Sequence, residues 1–313
     1  MIVYIVKRIL ATIPFMGVVA LFVFLMLRLS PGDPAAVIAG DYATAEDIVR
    51  IREQLGLNEP IFNQFMTWIT SLMQGDLGIS IFTNLPVTTL IAQRLEPTVM
   101  LTLTTIAFTV AVAVPLGTLA AWKAGSLIDR AVMMFSVAGF SIPVFVLGYI
   151  LIYVMAIQLK WLPVQGYKSL GDGVIPFLRH IALPTITLSV IFIALIARMT
   201  RASVMEVLEE DYVRTARAKG QSEFKVLVRH ALRNAAVPIV TVIGLGIALL
   251  IGGVVVTESV YNIPGLGRLV LAAVLARDYP IIQGLILFFS GVYILINLVI
   301  DLTYTLFDPR IRY

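Results

Sequence analysis

Residues 237–257 read VPIVTVIGLGIALLIGGVVVT, a run without one charged side chain. A bilayer core about 30 Å thick takes about 20 apolar residues as a single helix, so this run predicts a membrane span. Working outward from it, further apolar runs at 9–29, 98–122, 131–159, 183–198 and 281–307 read the same way. The whole chain agrees: 313 residues, 59% hydrophobic and 13% charged, with a mean hydropathy of +0.95, where a soluble domain carries about 25% charge. The expectation is an all-α polytopic membrane protein of six transmembrane helices. A net charge of +4 on so few charges reflects scarce acids and does not point to nucleic acid. With no cysteine and only His180 and His230, far apart, thiolate zinc sites, iron–sulfur clusters and disulfides are excluded. No metal site, resident cofactor or catalytic residue is expected.

Orientation follows from charge. With the N-terminus inside, the inner side holds fourteen Lys and Arg against seven acids, and the outer side nine against eleven. That bias predicts N-in, C-in topology. Lys7 and Arg8 precede the first run as in a signal peptide, but the run is too long for an h-region and leads into Ser30-Pro31-Gly32-Asp33-Pro34. It reads as a retained helix, residues 1–30 forming the N-terminus and first span.

The external segment 31–96 has helical periodicity between caps and breakers. Thr44 with Asp47 matches a capping box; Ile48, Ile51 and Leu55 share a face; Gly56 ends it. A second helix is expected from Pro60, turning Phe65, Ile69 and Leu72 inward and ending at Gly75. On pattern alone the segment reads equally as a spacer or as a cap that meets substrate or partner.

Within the spans, small residues recur every fourth position, at Ala113, Gly117, Ala121 and Gly125 and at Gly244, Ala248 and Gly252, ridges that let helices approach closely. Pro115 and Pro143 interrupt hydrogen-bond ladders, as hinges or fixed kinks. Glu96 and Glu258 are expected at the water interface and Asp301 near the inner end of the last span, so no proton or ion path is marked. Gly139-Phe140-Ser141-Ile142-Pro143 lacks the closing glycine of a nucleophile turn, and no G-x-x-x-x-G-K-S/T phosphate loop occurs. Any ATP is therefore bound by another polypeptide.

The longest cytoplasmic stretch, 199–236, is expected as helix, glycine, helix. One arm runs over 201–219 and stops at Gly220. The other starts at Ser222, with Phe224, Leu227, Val228, Ala231, Leu232 and Ala235 on one face and Lys225, Arg229 and Arg233 opposite. The bend around Thr215, Ala216 and Gly220 reads as an exposed helix end with small side chains, flanked by Tyr212, Arg214, Arg217 and Lys219. Such a bend can enter a groove on a partner, or the basic loop can lie on anionic headgroups. Pattern alone leaves both open.

Asp211-Tyr212-Val213-Arg214-Thr215-Ala216-Arg217-Ala218-Lys219-Gly220, followed by Arg229-His230-Ala231-Leu232-Arg233-Asn234-Ala235 and Pro238, resembles the coupling loop of bacterial ABC-importer permeases, specifically the first permease subunit of the dipeptide/oligopeptide/nickel family. Arg214-Thr215-Ala216 with Gly220 occupies the E-A-A-x-x-x-G frame, arginine replacing the glutamate as in the peptide subfamily. The likeness extends along the chain through Pro31-Gly32-Asp33-Pro34, Leu55-Gly56-Leu57 with Pro60, Gly75-Asp76-Leu77-Gly78 with Ser80, Pro264-Gly265-Leu266-Gly267-Arg268, Arg277-Asp278-Tyr279-Pro280 with Gln283-Gly284, and Asp308-Pro309-Arg310-Ile311-Arg312.

The resemblance implies a non-catalytic half of a heterodimeric inner-membrane importer. A five-helix permease core (97–313) would join a sister permease subunit, two ATP-binding subunits carrying ATP and Mg, and an external solute-binding protein that delivers peptide. Asp211, Tyr212, Arg214, Thr215, Ala216, Arg217, Lys219 and Gly220 would form the ATPase-coupling loop, and no substrate-contacting residue is assigned. The alternatives are nickel or another small solute of the same family, and a stand-alone ion-coupled peptide carrier, for which repeats, broken helices and paired intramembrane charges are expected.

Overall fold

The computed structural model describes residues 2–28, 33–39, 43–54 and 56–307. Pro31-Gly32, Leu55 and the 308–312 motif lie outside the described residues, as do the side chains of Lys7 and Arg8. The helices run α1 Ile2–Arg28, α2 Pro34–Ala39, α3 Ala45–Gln54, α4 Ile61–Met73, α5 Val87–Trp122, α6 Leu127–Ser141, α7 Val144–Leu151, α8 Val174–Leu208, α9 Asp211–Ala218, α10 Glu223–Lys225, α11 Ala236–Val260, α12 Leu266–Ala276 and α13 Tyr279–Phe307. Wide π turns extend α7 over Ile152–Gln158 and α10 over Val226–Leu232. Strand pairing among the described residues is confined to one bridge, Ile79 with Pro86.

Four helices, α5, α8, α11 and α13 as far as Asp301, are long and apolar enough to cross a membrane. The apolar part of α1, Leu10–Met26, is shorter. The run at 131–159 is not one straight helix: α6 and α7 meet at a 105° bend. Ile142 precedes Pro143 and is extended (φ −90°, ψ 120°), because the proline ring disfavours helical geometry in the residue before it. Pro115, by contrast, is accommodated inside an unbroken α5.

The chain divides into two compact units, residues 1–95 with 268–294 and residues 96–267 with 295–313. In the first, the Thr44–Asp47 capping box forms: the Asp47 amide donates to Thr44 Oγ1 (3.2 Å) and the Thr44 amide to Asp47 Oδ2 (3.1 Å). Gly56 (φ +61°) and Gly75 (φ +82°) follow the ends of α3 and α4, and Phe65, Ile69 and Leu72 are half-buried. Phe24 of α1, 1% exposed, meets Phe65 edge-on at 5.1 Å. Two distant motifs converge here. Ser80 Oγ donates to Asp278 Oδ2 at 2.6 Å, both residues buried, and a Cβ on Gly284 would stand 2.7 Å from Val87 Cγ1.

In the second unit α8 is the central helix. Within their most apolar stretches, 67% of α8 is buried against 22% of α5 and 28% of α11. Leu188 and Phe192 of α8 pack with Leu101, Leu250, Val254 and Tyr261, and the Tyr261 hydroxyl lies 2.7 Å from Thr187 Oγ1. Close approach is real at Gly117, where a Cβ would come within 2.5 Å of the Ala197 carbonyl, and at Gly244, 2.4 Å from Ile300 Cδ1. The ridges are shorter than the spacing suggested: Gly252 has open space around it and Gly125 belongs to the turn after α5 (φ +80°).

Candidate functional site: a helical corner and its anchors

The corner after α8 is built in three pieces. α8 continues to Leu208, and the chain breaks at Glu209–Glu210, Glu210 being extended (ψ 145°) at the N-cap of α9. The expected single arm over 201–219 is thus two helices, because a bend at 210 lets Val213 and Ala216 turn back onto α8. Val213 (0% exposed) and Ala216 (6%) pack with Val226, Val207 and Leu208. Ala216 is therefore an anchor of the corner, not part of its exposed tip. Asp211, Tyr212, Arg214, Thr215, Arg217, Lys219 and Gly220 are all exposed, as expected.

Local hydrogen bonds stiffen that face. Thr215 Oγ1 donates to the Asp211 carbonyl (2.9 Å), Arg217 holds Glu223 through Nε (3.0 Å) and Nη2 (3.3 Å), and Asn234 Nδ2 donates to the Tyr212 hydroxyl (3.0 Å). Gly220 takes φ +75°, which L side chains rarely adopt. The following arm buries Val226, Leu227, Ala231 and Ala235 but leaves Phe224 and Val228 exposed. Val226 is taken up by Val213 and Ala216 of the preceding helix, at the start of the wide i to i+5 turn that runs over Val226–Leu232. Lys225, Arg229 and Arg233 stay exposed as expected.

The corner is tied firmly to the long helices. Leu227, Ala231, Ala235 and Ile239 pack with Val204 of α8 and Ala121 of α5. Arg201 near the end of α8 grips Asp129 in the first turn of α6: Nη2 donates to Oδ2 at 2.8 Å, and Nε donates to Oδ1. The Gly125 amide adds a 2.9 Å bond to Oδ2. Asp129 is 4% exposed, so the guanidinium fork and this amide replace the water its charge has lost. In the sequence both residues register only as loop charges. The signal that could have found them is a pair of opposite charges at the same end of successive apolar runs.

At the far end of α11, Glu258 is 0% exposed, not solvated at an interface. Thr98 Oγ1 donates to its Oε1 at 2.5 Å and accepts from the Leu266 amide at 2.7 Å. The Gly265-Leu266-Gly267 turn closes over the carboxylate: a Cβ at Gly265 would lie 2.1 Å from Glu258 Oε1, and one at Gly267 2.9 Å from Oε2. Glycine at both positions makes room for a buried acid, which water at the helix end would otherwise have covered. Glu96 does stay exposed, accepting a 3.2 Å bond from the Tyr167 hydroxyl.

None of this constitutes reaction machinery. The corner offers an exposed mixed-charge face on helices packed against α5, α8 and α11, and among the described residues no group of acids and histidines is placed to hold a metal.

Comparison with known proteins adds to this geometry. Residues 113–313 match the family described as binding-protein-dependent transport system inner membrane component, and residues 1–102 match its N-terminal companion. A probable peptide ABC transporter permease protein of Sinorhizobium fredii is 58% identical over 311 residues, 99% of each chain. The glutathione transport system permease protein GsiC of Escherichia coli is 46% identical over 310 residues, again 99% of each. A chain of the MetNI methionine ABC transporter in an inward-facing conformation shares the fold, with a TM-score of 0.58 at 16% identity, covering 71% of this chain and 97% of that one.

Proposed function

Since the chain belongs to the binding-protein-dependent transport system inner membrane component family, and is therefore a non-catalytic, multi-pass permease component of an ABC importer in the cytoplasmic membrane, we propose that its cargo is short peptides and that the α9–α10 corner is where ATPase motion enters. The cargo reading is supported by near-full-length similarity to a probable peptide permease at 58% identity and to a permease of glutathione, itself a tripeptide, at 46%.

The observation that carries the coupling reading is the division of labour in the corner. Val213 and Ala216 are buried against α8 and the following arm, while Asp211, Tyr212, Arg214, Thr215, Arg217, Lys219 and Gly220 face outward. Surface residues presented on a buried support of this kind are suited to a partner's cleft. In this reading two ATP-binding subunits dock there, a sister permease subunit completes the pathway, and an external solute-binding protein delivers peptide. ATP then drives transport by binding the inward- and outward-open states with different affinity.

The topology that suits this reading has six spans with both termini inside: α1, α5, the bent α6–α7 pair, α8, α11 and α13. The inner excess of Lys and Arg supports it. Residues 31–96 then form an external helical segment and 97–313 the five-helix core, with the coupling loop inside 199–236.

Charge reversal at an outward position tests the coupling. Arg214→Glu, in a side chain 71% exposed, should leave membrane insertion and protein level unchanged and reduce ATP-driven peptide uptake in vesicles at least tenfold. Unchanged uptake would overturn the assignment. Ala216→Glu is a poor probe, because it would bury a carboxylate among Val213 and Val226.

A further inference from the structure

Above the apolar part of α1 the first unit contains a solvent-open cavity of about 490 Å³ lined by Arg28, Asp33, Arg52, Leu57, Glu59, Ile61 and Gln64. That volume falls within the ~300–1,000 Å³ typical of small-molecule sites. Its four charges are not equivalent. Arg52 and Asp33 form an ion pair. Arg28 donates through Nε to Gln64 Oε1 (2.8 Å) and through Nη1 to the Phe24 carbonyl (3.1 Å), and its guanidinium carbon stands 3.6 Å over the Phe24 ring. Among the described residues no carboxylate pairs with Arg28, and no cation pairs with Glu59.

Gln64 links the two sides. Its Oε1 accepts from Arg28, while Nε2 donates to the Glu59 carbonyl (2.7 Å) and the Leu57 carbonyl (3.3 Å). The cavity thus presents one held guanidinium with spare N–H donors, one uncompensated carboxylate, and apolar wall from Leu57 and Ile61. A guanidinium fork with unused N–H groups matches a carboxylate bidentately. An ammonium complements Glu59 in the same way, and a ligand with both ends satisfies both charges at once.

We propose that this cavity binds the zwitterion of a short peptide, Arg28 taking the C-terminal carboxylate and Glu59 the N-terminal ammonium. It deepens the peptide-permease reading and rests on it, placing the site on the outer face where cargo arrives. Recognition is of the two termini, so side-chain identity matters little here, and an extended tripeptide spans about 10 Å.

The test uses the full permease–ATPase complex in lipid nanodiscs, without binding protein, and trialanine as probe, with affinities from saturation-transfer NMR. The wild-type complex should bind trialanine at least tenfold more tightly than its C-terminal amide or its N-acetyl derivative. Arg28→Gln should remove the discrimination against the amide only, and Glu59→Gln the discrimination against the acetyl derivative only. Arg28→Lys should keep a preference for the free carboxylate. Glu59 is exposed, so its variant carries the test even where Arg28 variants fold poorly. Equal binding of free and blocked peptides, no binding of trialanine, or discrimination that survives both neutral variants would overturn the site. Peptide uptake by cells is read separately: its absence in cells carrying the wild-type permease would sink the peptide-permease reading, whereas its presence beside indifferent NMR would sink only this cavity.

Discussion

The α9–α10 corner and the α11–α12 turn are both short, glycine-marked and part of one ordered set of motifs, yet they use glycine for opposite reasons. Around Gly220 nothing lies within 4 Å of an added Cβ, and the residue is glycine for its φ of +75°. At Gly265 an added Cβ would stand 2.1 Å from the Glu258 carboxylate, so there the residue is glycine for its missing side chain. The corner turns its distinctive side chains outward, while the turn closes on its own. A motif whose residues contact one another holds the fold, whereas a motif whose residues face solvent leaves them open for the docking proposed above.

Removing charge compensation is the strongest way to strain this contrast. Arg201→Met leaves Asp129 buried beside α8 and should destabilise by about 3 kcal/mol or more, read as a lowered melting temperature in detergent. Asp129→Asn combined with Arg201→Met should recover most of that loss, since no charge is then stranded. If the single variant melts like wild type, the anchor of the corner lies elsewhere.

Overpacking comes next. Gly265→Ala forces a methyl against Glu258 and should lose about 1–3 kcal/mol. Gly220→Ala keeps its space but not its backbone preference and should lose about 1 kcal/mol, with Gly220→Asn milder because Asn tolerates the left-handed region. Equal losses at 220 and 265, by the same melting assay, would erase the distinction between them. Arg214→Glu belongs at the lower end for stability, within about 0.5 kcal/mol, although its effect on uptake is large.

The smallest effect lies in the capping box. Hydrogen bonds from Thr44, side chain first and backbone second, hold the Asp47 carboxyl below its ordinary value of 3.8. A depressed folded value means that the stabilisation is full above the unfolded value and is lost as pH falls through the folded one. Amide-exchange protection at the start of α3 should therefore persist below pH 3.8. In Thr44→Ala it should fail at a higher pH than in the wild type.

Legibility tracked locality. The capping box, the stops at Gly56, Gly75 and Gly220 and the outward basic face of Lys225, Arg229 and Arg233 depend on neighbours a few residues away, and periodicity contains them. The α6–α7 break was half legible: Pro143 marks an interruption, but its 105° size depends on what packs around it. The π turn at 226–232 was not legible, since one added residue per turn shifts the buried face without changing composition. Within the candidate site the exposure of the polar positions follows from their side chains, while the burial of Ala216 does not, because a small side chain suits an open bend and a tight contact equally well.

By itself the sequence determined that this chain is helical, apolar enough for a bilayer and marked by the motifs of one transport family, since hydropathy, caps and motif order are local properties. The tertiary structure alone decided that Asp129 finds Arg201, that Ser80 finds Asp278 across 198 positions, and that Glu258 is enclosed by a glycine turn. Burial and pairing depend on which helices meet, and a charge in a one-dimensional string carries no sign of the partner that folding brings to it.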